Sequence, residues 1–103
     1  MKILGYDYNL VYGNHEELLG VCGIHHATIQ KIFIASYLCE QQKISTVLHE
    51  IIEALNYHLD LNIEHRSIMS LEAALMQVLT DSGVDLSPIT KEILTPTEKE
   101  QVG

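Results

Sequence analysis

Tryptophan is absent from this chain, phenylalanine occurs once, and Lys and Arg together number only six among 103 residues. Fourteen Asp and Glu residues give a formal net charge of −8. Binding to DNA or RNA needs clustered basic side chains, so no nucleic-acid partner is expected. Apolar runs of about 18 residues, the length of a membrane span, are also missing, and no signal-peptide core opens the chain. The sequence therefore predicts a cytoplasmic protein that contacts neither nucleic acid nor membrane.

Cysteine occurs only twice, at Cys22 and Cys39, without a Cys-x-x-Cys spacing. Since no export signal is present, both are expected to be buried, reduced thiols, and a disulfide is the alternative. Hydrophobic residues make up 47% of the chain against 19% charged, which is the balance of a globular domain. A chain of this length holds one core, so we predict one domain over residues 1–94 and a flexible tail over 95–103.

The first third of the chain predicts β-structure. Residues 1–12, 18–22 and 28–34 are rich in Ile, Leu, Val and Tyr with partial alternation, so each is a candidate strand. Gly23 and the pair His25–His26 form a short connection between the second and third strands, which favours an antiparallel hairpin. A three-stranded antiparallel sheet is therefore expected, with both histidines in a loop.

Two helices and a short third one are predicted after the sheet. The first covers residues 45–61, with Ser45 as its N-cap, and the alternative is a start already around Glu40. The second covers about 65–81. A short helix over 88–94 follows from Ser87 and the proline after it. The predicted fold class is α+β. Its buried stripes are Val47, Leu48, Ile51, Ile52, Leu55 and Leu59 on the first helix, and Ile68, Leu71, Leu75, Val78 and Leu79 on the second.

His49, Glu50 and Glu53 form the pattern that most clearly indicates chemistry. On a helix, His49 and Glu53 lie on one face, one turn apart. An imidazole and a carboxylate at this spacing can share a divalent ion, with Glu50 beside them as general base. Zinc hydrolases with a His-Glu-x-x-His motif have the same arrangement, and here Glu53 stands in place of the second His. The ordinary alternative is that His49 and Glu53 form an exposed hydrogen bond and that Glu50 is a solvated helix residue.

A catalytic zinc site needs a third protein ligand and an open fourth position. His65 is the candidate, because it begins the second helix where the chain turns back towards the first. Glu50 would then take a proton from the attacking water and pass it to the leaving amine. His58 is the alternative third ligand, since it lies close to the same face as His49. The carboxylate of Glu53 would also suit Mn²⁺ or Fe²⁺.

The stretch Thr46-Val-Leu-His49-Glu50-Ile-Ile-Glu53-Ala-Leu resembles the active-site helix of the very small zincin-like proteins encoded by phages and prophages. Their usual pattern is a threonine, two apolar residues and then His-Glu-x-x-His. Residues 20–34 look like their glycine-marked hairpin and edge strand, and residues 62–71 look like the start of their next helix. The resemblance covers roughly residues 3 to 80.

This resemblance implies a gluzincin-like arrangement in which an extended peptide binds along the edge strand by β-augmentation. It carries His49 and Glu50 over directly. Glu53 departs from the pattern, because the family has two His on the first helix joined by a Glu on the second. Here Glu53 on the first helix and His65 on the second would be the same ligand set with two positions exchanged.

Two functions of different classes follow. The first is a zinc-dependent metallopeptidase, phage- or prophage-encoded and active in the host cytoplasm. The second is a non-catalytic acidic phage accessory protein that binds a host or phage protein, with a structural metal or none. Glu50 discriminates between them within the sequence, because a binding module has no need of a carboxylate beside His49.

Overall fold

The structure is a computed structural model that describes residues 1–95, apart from the side chains of His15 and Glu17. The predicted tail over 95–103 lies outside the described residues, except for Thr95. The predicted α+β class is confirmed. In chain order the elements are β1 (Lys2–Ile3), β2 (Tyr6–Asp7), β3 (Asn9–Gly13), α1 (His15–Leu18), β4 (Gly23–His26), β5 (Lys31–Ala35), α2 (Glu40–Leu59), α3 (His65–Asp81) and α4 (Ser87–Lys91).

The main sheet has the strand order β3-β5-β4, and it is not wholly antiparallel as predicted. β4 and β5 form an antiparallel hairpin, but β4 covers the residues predicted as its connection, and β3 runs parallel to β5, with Leu10 opposite Ile32. β5 is the most apolar strand, and its residues Ile32, Ile34 and Ala35 are fully buried. It therefore occupies the centre, where both of its edges are paired.

All three predicted strands differ from the observed ones, and the third, predicted over 28–34, is β5. Residues 1–12 do not form one strand, because Leu4 and Gly5 take left-handed φ angles of 53° and 84° and turn β1 back onto β2. Residues 18–22 are not a strand, because Leu18 ends α1 and the next two residues are also left-handed. The pair His25–His26, predicted as loop, lies within β4.

The long helix begins earlier than predicted. Its N-cap is Cys39, not Ser45, and the side-chain oxygen of Gln42 accepts a hydrogen bond from the Cys39 N–H at 3.3 Å. It ends at Leu59, where Asp60 takes a left-handed φ of 51°. Cys22 and Cys39 are exposed and do not form a disulfide, so their predicted burial was wrong. Neither α2 nor any other helix within residues 1–95 is long and apolar enough to cross a membrane.

The core lies between the sheet and α2, and it contains Tyr8, Leu10, Ile32, Ile34, Val47 and Ala54. α3 packs on the opposite side of α2, and its rotation differs from the prediction. Ile68 is buried, but Leu71, Leu75 and Val78 are exposed. The side of α3 that meets α2 instead carries Glu72, whose carboxylate contacts His49. The side of α3 that meets α2 therefore combines the buried Ile68 with a polar contact.

Gly23 lies where β4 approaches α2 closely. A methyl group there would lie 2.6 Å from Cγ2 of Thr46, 3.2 Å from the carbonyl oxygen of Phe33 and 3.3 Å from Cγ of Glu50. Gly23→Ala is therefore expected to lower the free energy of unfolding by about 1–3 kcal/mol, as overpacking does. Urea denaturation measures this, with the same change in a Thr46→Ser background as the control, because that background lacks the Cγ2 that the new methyl group would meet. An equal loss in both backgrounds would contradict close packing of β4 on α2.

Candidate metal centre

α2 presents His49, Glu50 and Glu53 to an open cleft of about 1010 Å³. The cleft lies between α2, β4 and the first half of α3. Its polar side carries these three residues together with His65 and Glu72 of α3. The apolar remainder is formed by Leu18, Leu19, Val21, Ile24 and Leu38. A cleft with apolar walls and a few convergent polar groups is the usual form of a small binding site.

The three residues predicted as ligands lie together on one side of this cleft. One ligand atom from each of His49, Glu53 and His65 lies within 4.8 Å of the others. Oε2 of Glu53 is 4.0 Å from Nε2 of His49 and 3.7 Å from Nδ1 of His65. The His49 side chain is 13% exposed and that of His65 is 67% exposed, so the group is reached from solvent on the α3 side. This group could hold a metal ion.

The three donor atoms fit a tetrahedral zinc site after small movements of their side chains. Donors at 2.0–2.1 Å from a tetrahedral ion are about 3.3 Å apart. The two distances from Glu53 exceed this value by less than 1 Å, so closure needs small rotations of the Glu53 and His65 side chains. Two imidazoles and one carboxylate also match the His₂Glu composition of catalytic zinc sites.

Glu72 is a part of the site that sequence reasoning missed. Nδ1–H of His49 donates to Oε1 of Glu72 at 3.0 Å. Because a carboxylate only accepts, this bond holds the proton on Nδ1 and leaves the Nε2 lone pair directed towards Glu53 and His65. The sequence did contain one indication of this role. Glu72 follows His65 by two helical turns, so the two residues lie on the same face of α3.

Glu50 lies beside the three ligands and is 5% exposed. Burial raises the pKa of its carboxyl from 4.5 to about 7, with smaller contributions from the negative charges of Glu53 and Glu72. Burial and the two neighbouring carboxylates therefore all raise the pKa of Glu50. A carboxyl with a pKa near neutral is suited to accept and return a proton during a reaction.

The buried carboxyl predicts a pH-dependent difference between wild type and Glu50→Gln. The folded pKa of about 7 lies above the unfolded value of 4.5, so stability is full below pH 4.5 and is lost as pH rises through 7. A shift of this size corresponds to about 3 kcal/mol. Without metal, the variant should match wild type near pH 4.5 and exceed its free energy of unfolding by about 3 kcal/mol above pH 7. Denaturant titration in chelator measures this, and a pH-independent difference would contradict it.

His58, the alternative third ligand, is not part of this group. Its Nε2 lies 2.6 Å from the hydroxyl of Tyr8, and its ring stacks on Tyr6 with centroids 4.1 Å apart. The same hydroxyl lies 2.8 Å from Nε2 of His25, which lines the cleft. Burial and the neighbouring His58 lower the pKa of His25, although Glu53 opposes them. These contacts bind β4 to the C-terminal end of α2.

Tyr8→Phe is expected to destabilise the protein, because the buried hydroxyl is the shared partner of two imidazoles. A loss of about 1–3 kcal/mol in the free energy of unfolding is expected when buried partners become unsatisfied. Tyr6→Phe is the matched control, since it removes a phenol hydroxyl from a half-exposed ring and keeps the stacking on His58. Equal stability of the two variants in urea denaturation would show that the Tyr8 bonds contribute nothing.

The fold and site together define a small α+β protein with a candidate metal centre on its longest helix. Comparison with protein-family models, with curated proteins and with solved structures found no match. Any functional conclusion therefore depends on the geometry of the cleft and on the motif of α2.

Proposed function

We propose that this protein is a zinc-dependent metallopeptidase, phage- or prophage-encoded and active in the host cytoplasm. The observation that carries the proposal is the approach of His49, Glu53 and His65 to one another beside the buried carboxyl of Glu50. The proposed origin rests on the resemblance of the α2 motif to zincin-like proteins of phages.

His49, Glu53 and His65 would hold the ion, and Glu72 would orient the His49 ring through its Nδ1–H. A zinc ion held there would supply Lewis-acid activation of a water molecule and of the peptide carbonyl. Glu50 would accept the proton of the attacking water at a carboxylate oxygen and return it to the leaving amine. Its pKa of about 7 favours both transfers at neutral pH, because the two protonation states have similar free energies.

The substrate would be a peptide in an extended conformation. β4 lies at the edge of the sheet, because it pairs only with β5 within residues 1–95. Gly23, Ile24 and His25 of this strand line the cleft, so a peptide added along the free edge would pass in front of the metal group. The apolar wall opposite Glu50 would accommodate apolar side chains of the substrate.

Metal analysis and a cleavage assay test the proposal together. Protein purified without chelator is expected to carry about one zinc ion per chain and to cleave members of a peptide library. Chelator should abolish cleavage, and added zinc should restore it. A folded, metal-free protein that does not bind zinc and does not cleave the library would refute the proposal. That result would favour the acidic binding module, for which the net charge of −8 is the supporting feature.

A further inference from the structure

The connection between α2 and α3 is bound to α2 through Asn56. Oδ1 of Asn56 accepts a hydrogen bond from the N–H of Ile63 at 2.9 Å, and its Nδ2 donates to the carbonyl oxygen of Ile63 at 3.3 Å. Because a side-chain amide has a donor and an acceptor, it satisfies both polar groups of the Ile63 backbone. The backbone carbonyl of Asn56 also accepts from the N–H of Leu61 at 3.1 Å. The connection is therefore held on α2 by the side chain and the backbone of a single residue.

Asn56 lies on the same side of α2 as the two candidate ligands of that helix. His49, Glu53 and Asn56 are spaced by four and then three residues, so they form one row along α2. Asn56 lies about one turn beyond Glu53, and all three residues line the cleft. The first two members of this row supply candidate donor atoms, and the third binds the chain just before the remaining donor, His65.

His65 follows Ile63 by two residues and begins α3. Its Nδ1 is 3.7 Å from Oε2 of Glu53, and its ring centroid is 5.0 Å from that of His49. The His65 side chain is 67% exposed, so little packing fixes it from the solvent side. The place of its ring beside α2 therefore depends on where the backbone of α3 begins.

Two residues of the connection have left-handed backbone conformations, which cost free energy in residues other than glycine. Asp60 and Asn62 have φ angles of 51° and 57°. Such conformations persist where surrounding contacts maintain them, and the paired hydrogen bonds from Asn56 are contacts of this kind. Without these bonds the connection can relax, and the first turn of α3 would move with it. The buried Ile68 and the bond of Glu72 to α2 would still hold the rest of α3 in place.

We propose that Asn56 positions His65 as the third ligand of the metal centre. This role rests on the proposed function, because His65 is a ligand only if the site holds a metal ion. Asn56 acts on the ion through the backbone rather than by contact, since both polar atoms of its side chain bind Ile63. Removal of the amide should move His65 away from Glu53 and weaken zinc binding about tenfold, as loss of a residue that orients a ligand does.

Nuclear Overhauser effects measured in chelator test the positioning without metal. Wild type is expected to show an effect between the ring protons of His49 and His65, and Asn56→Ala should lose it while circular dichroism shows unchanged helices. Asn9→Ala is the matched control, because Asn9 is exposed on β3 and does not line the cleft. Asn56→Asp is the second variant if Asn56→Ala does not fold, since it keeps the acceptor for the Ile63 N–H and should weaken the effect. An effect that is absent from wild type, or unchanged in a folded Asn56 variant, would overturn the inference.

Zinc titration distinguishes failure of this inference from failure of the proposed function. Asn56→Ala should bind zinc about tenfold more weakly than wild type. In a His65→Ala background the same change should cost nothing further, because its effect passes through His65. An equal loss in both backgrounds would overturn the inference and leave the proposed function standing. A wild type that binds no zinc would refute the proposed function, and the Overhauser effect alone would then decide whether Asn56 positions His65.

Discussion

His49→Ala is expected to abolish metal binding while leaving the protein folded. Its Nε2 is one of three donors in the candidate site, and its side chain faces the cleft rather than the core. Removing the imidazole leaves Glu53 and His65 as the two remaining donors, which is one fewer than a catalytic zinc site uses. We expect metal affinity to fall by more than about 100-fold, because loss of an orienting partner alone costs about 10- to 100-fold.

Zinc binding by further variants distinguishes the three candidate ligands from the residues around them. Glu53→Ala and His65→Ala should match His49→Ala, and Glu72→Gln should show the smaller loss of about 10- to 100-fold. His26→Ala is the control, because His26 is exposed on β4 and its ring packs against Phe33. Isothermal titration with zinc measures all five variants. Full zinc binding by His49→Ala, Glu53→Ala and His65→Ala would eliminate this site.

Glu50→Gln is expected to bind metal like wild type and to lose hydrolysis. The amide is nearly the same size as the carboxyl, so it fits the same buried position, but it cannot accept the proton of the attacking water. General bases contribute about 10²- to 10⁴-fold, so kcat should fall by this factor with little change in KM. The measurement is cleavage of the best library peptide, with zinc content determined on the same sample.

Glu16→Gln is the matched control for this loss, because Glu16 is exposed on α1 and does not line the cleft. It makes the same chemical change away from the candidate site and should leave kcat unaltered. If Glu50→Gln cleaves at the wild-type rate, Glu50 is not the base. If instead it loses zinc, its carboxyl is required for the metal group itself.

The helices could be predicted from the sequence because their signals are local. The apolar periodicity of α2 and α3 indicated two helices, and the bounds of α3 agree with the prediction. Asn62 between them takes a left-handed φ of 57°, which this residue type tolerates well. The spacing of His49 and Glu53 likewise sufficed to put them on one face of α2, since four residues always complete about one turn.

The strands could not be predicted as well, because pairing depends on distant residues. The parallel direction of β3 and β5 accompanies burial of β5 at the centre of the sheet. Residues 1–12 are divided by the left-handed turn at Leu4 and Gly5, which pairs β1 with β2 in a separate sheet. The N-cap at Cys39 was missed for a different reason, which is local. The helix signal was sought at a hydroxyl residue, whereas the chain continues the helix upstream to Glu40 and caps it with the side chain of Gln42.

The sequence by itself determined the α+β class, the two long helices and the row of His49, Glu50 and Glu53 on one of them. Only the tertiary structure decided what these residues meet. The rotation of α3 brings His65 and Glu72 to α2 and leaves Leu71, Leu75 and Val78 in solvent, although their apolar spacing predicted burial. The reason is that helix periodicity defines the sides of α3, whereas contacts with α2 select which side is buried.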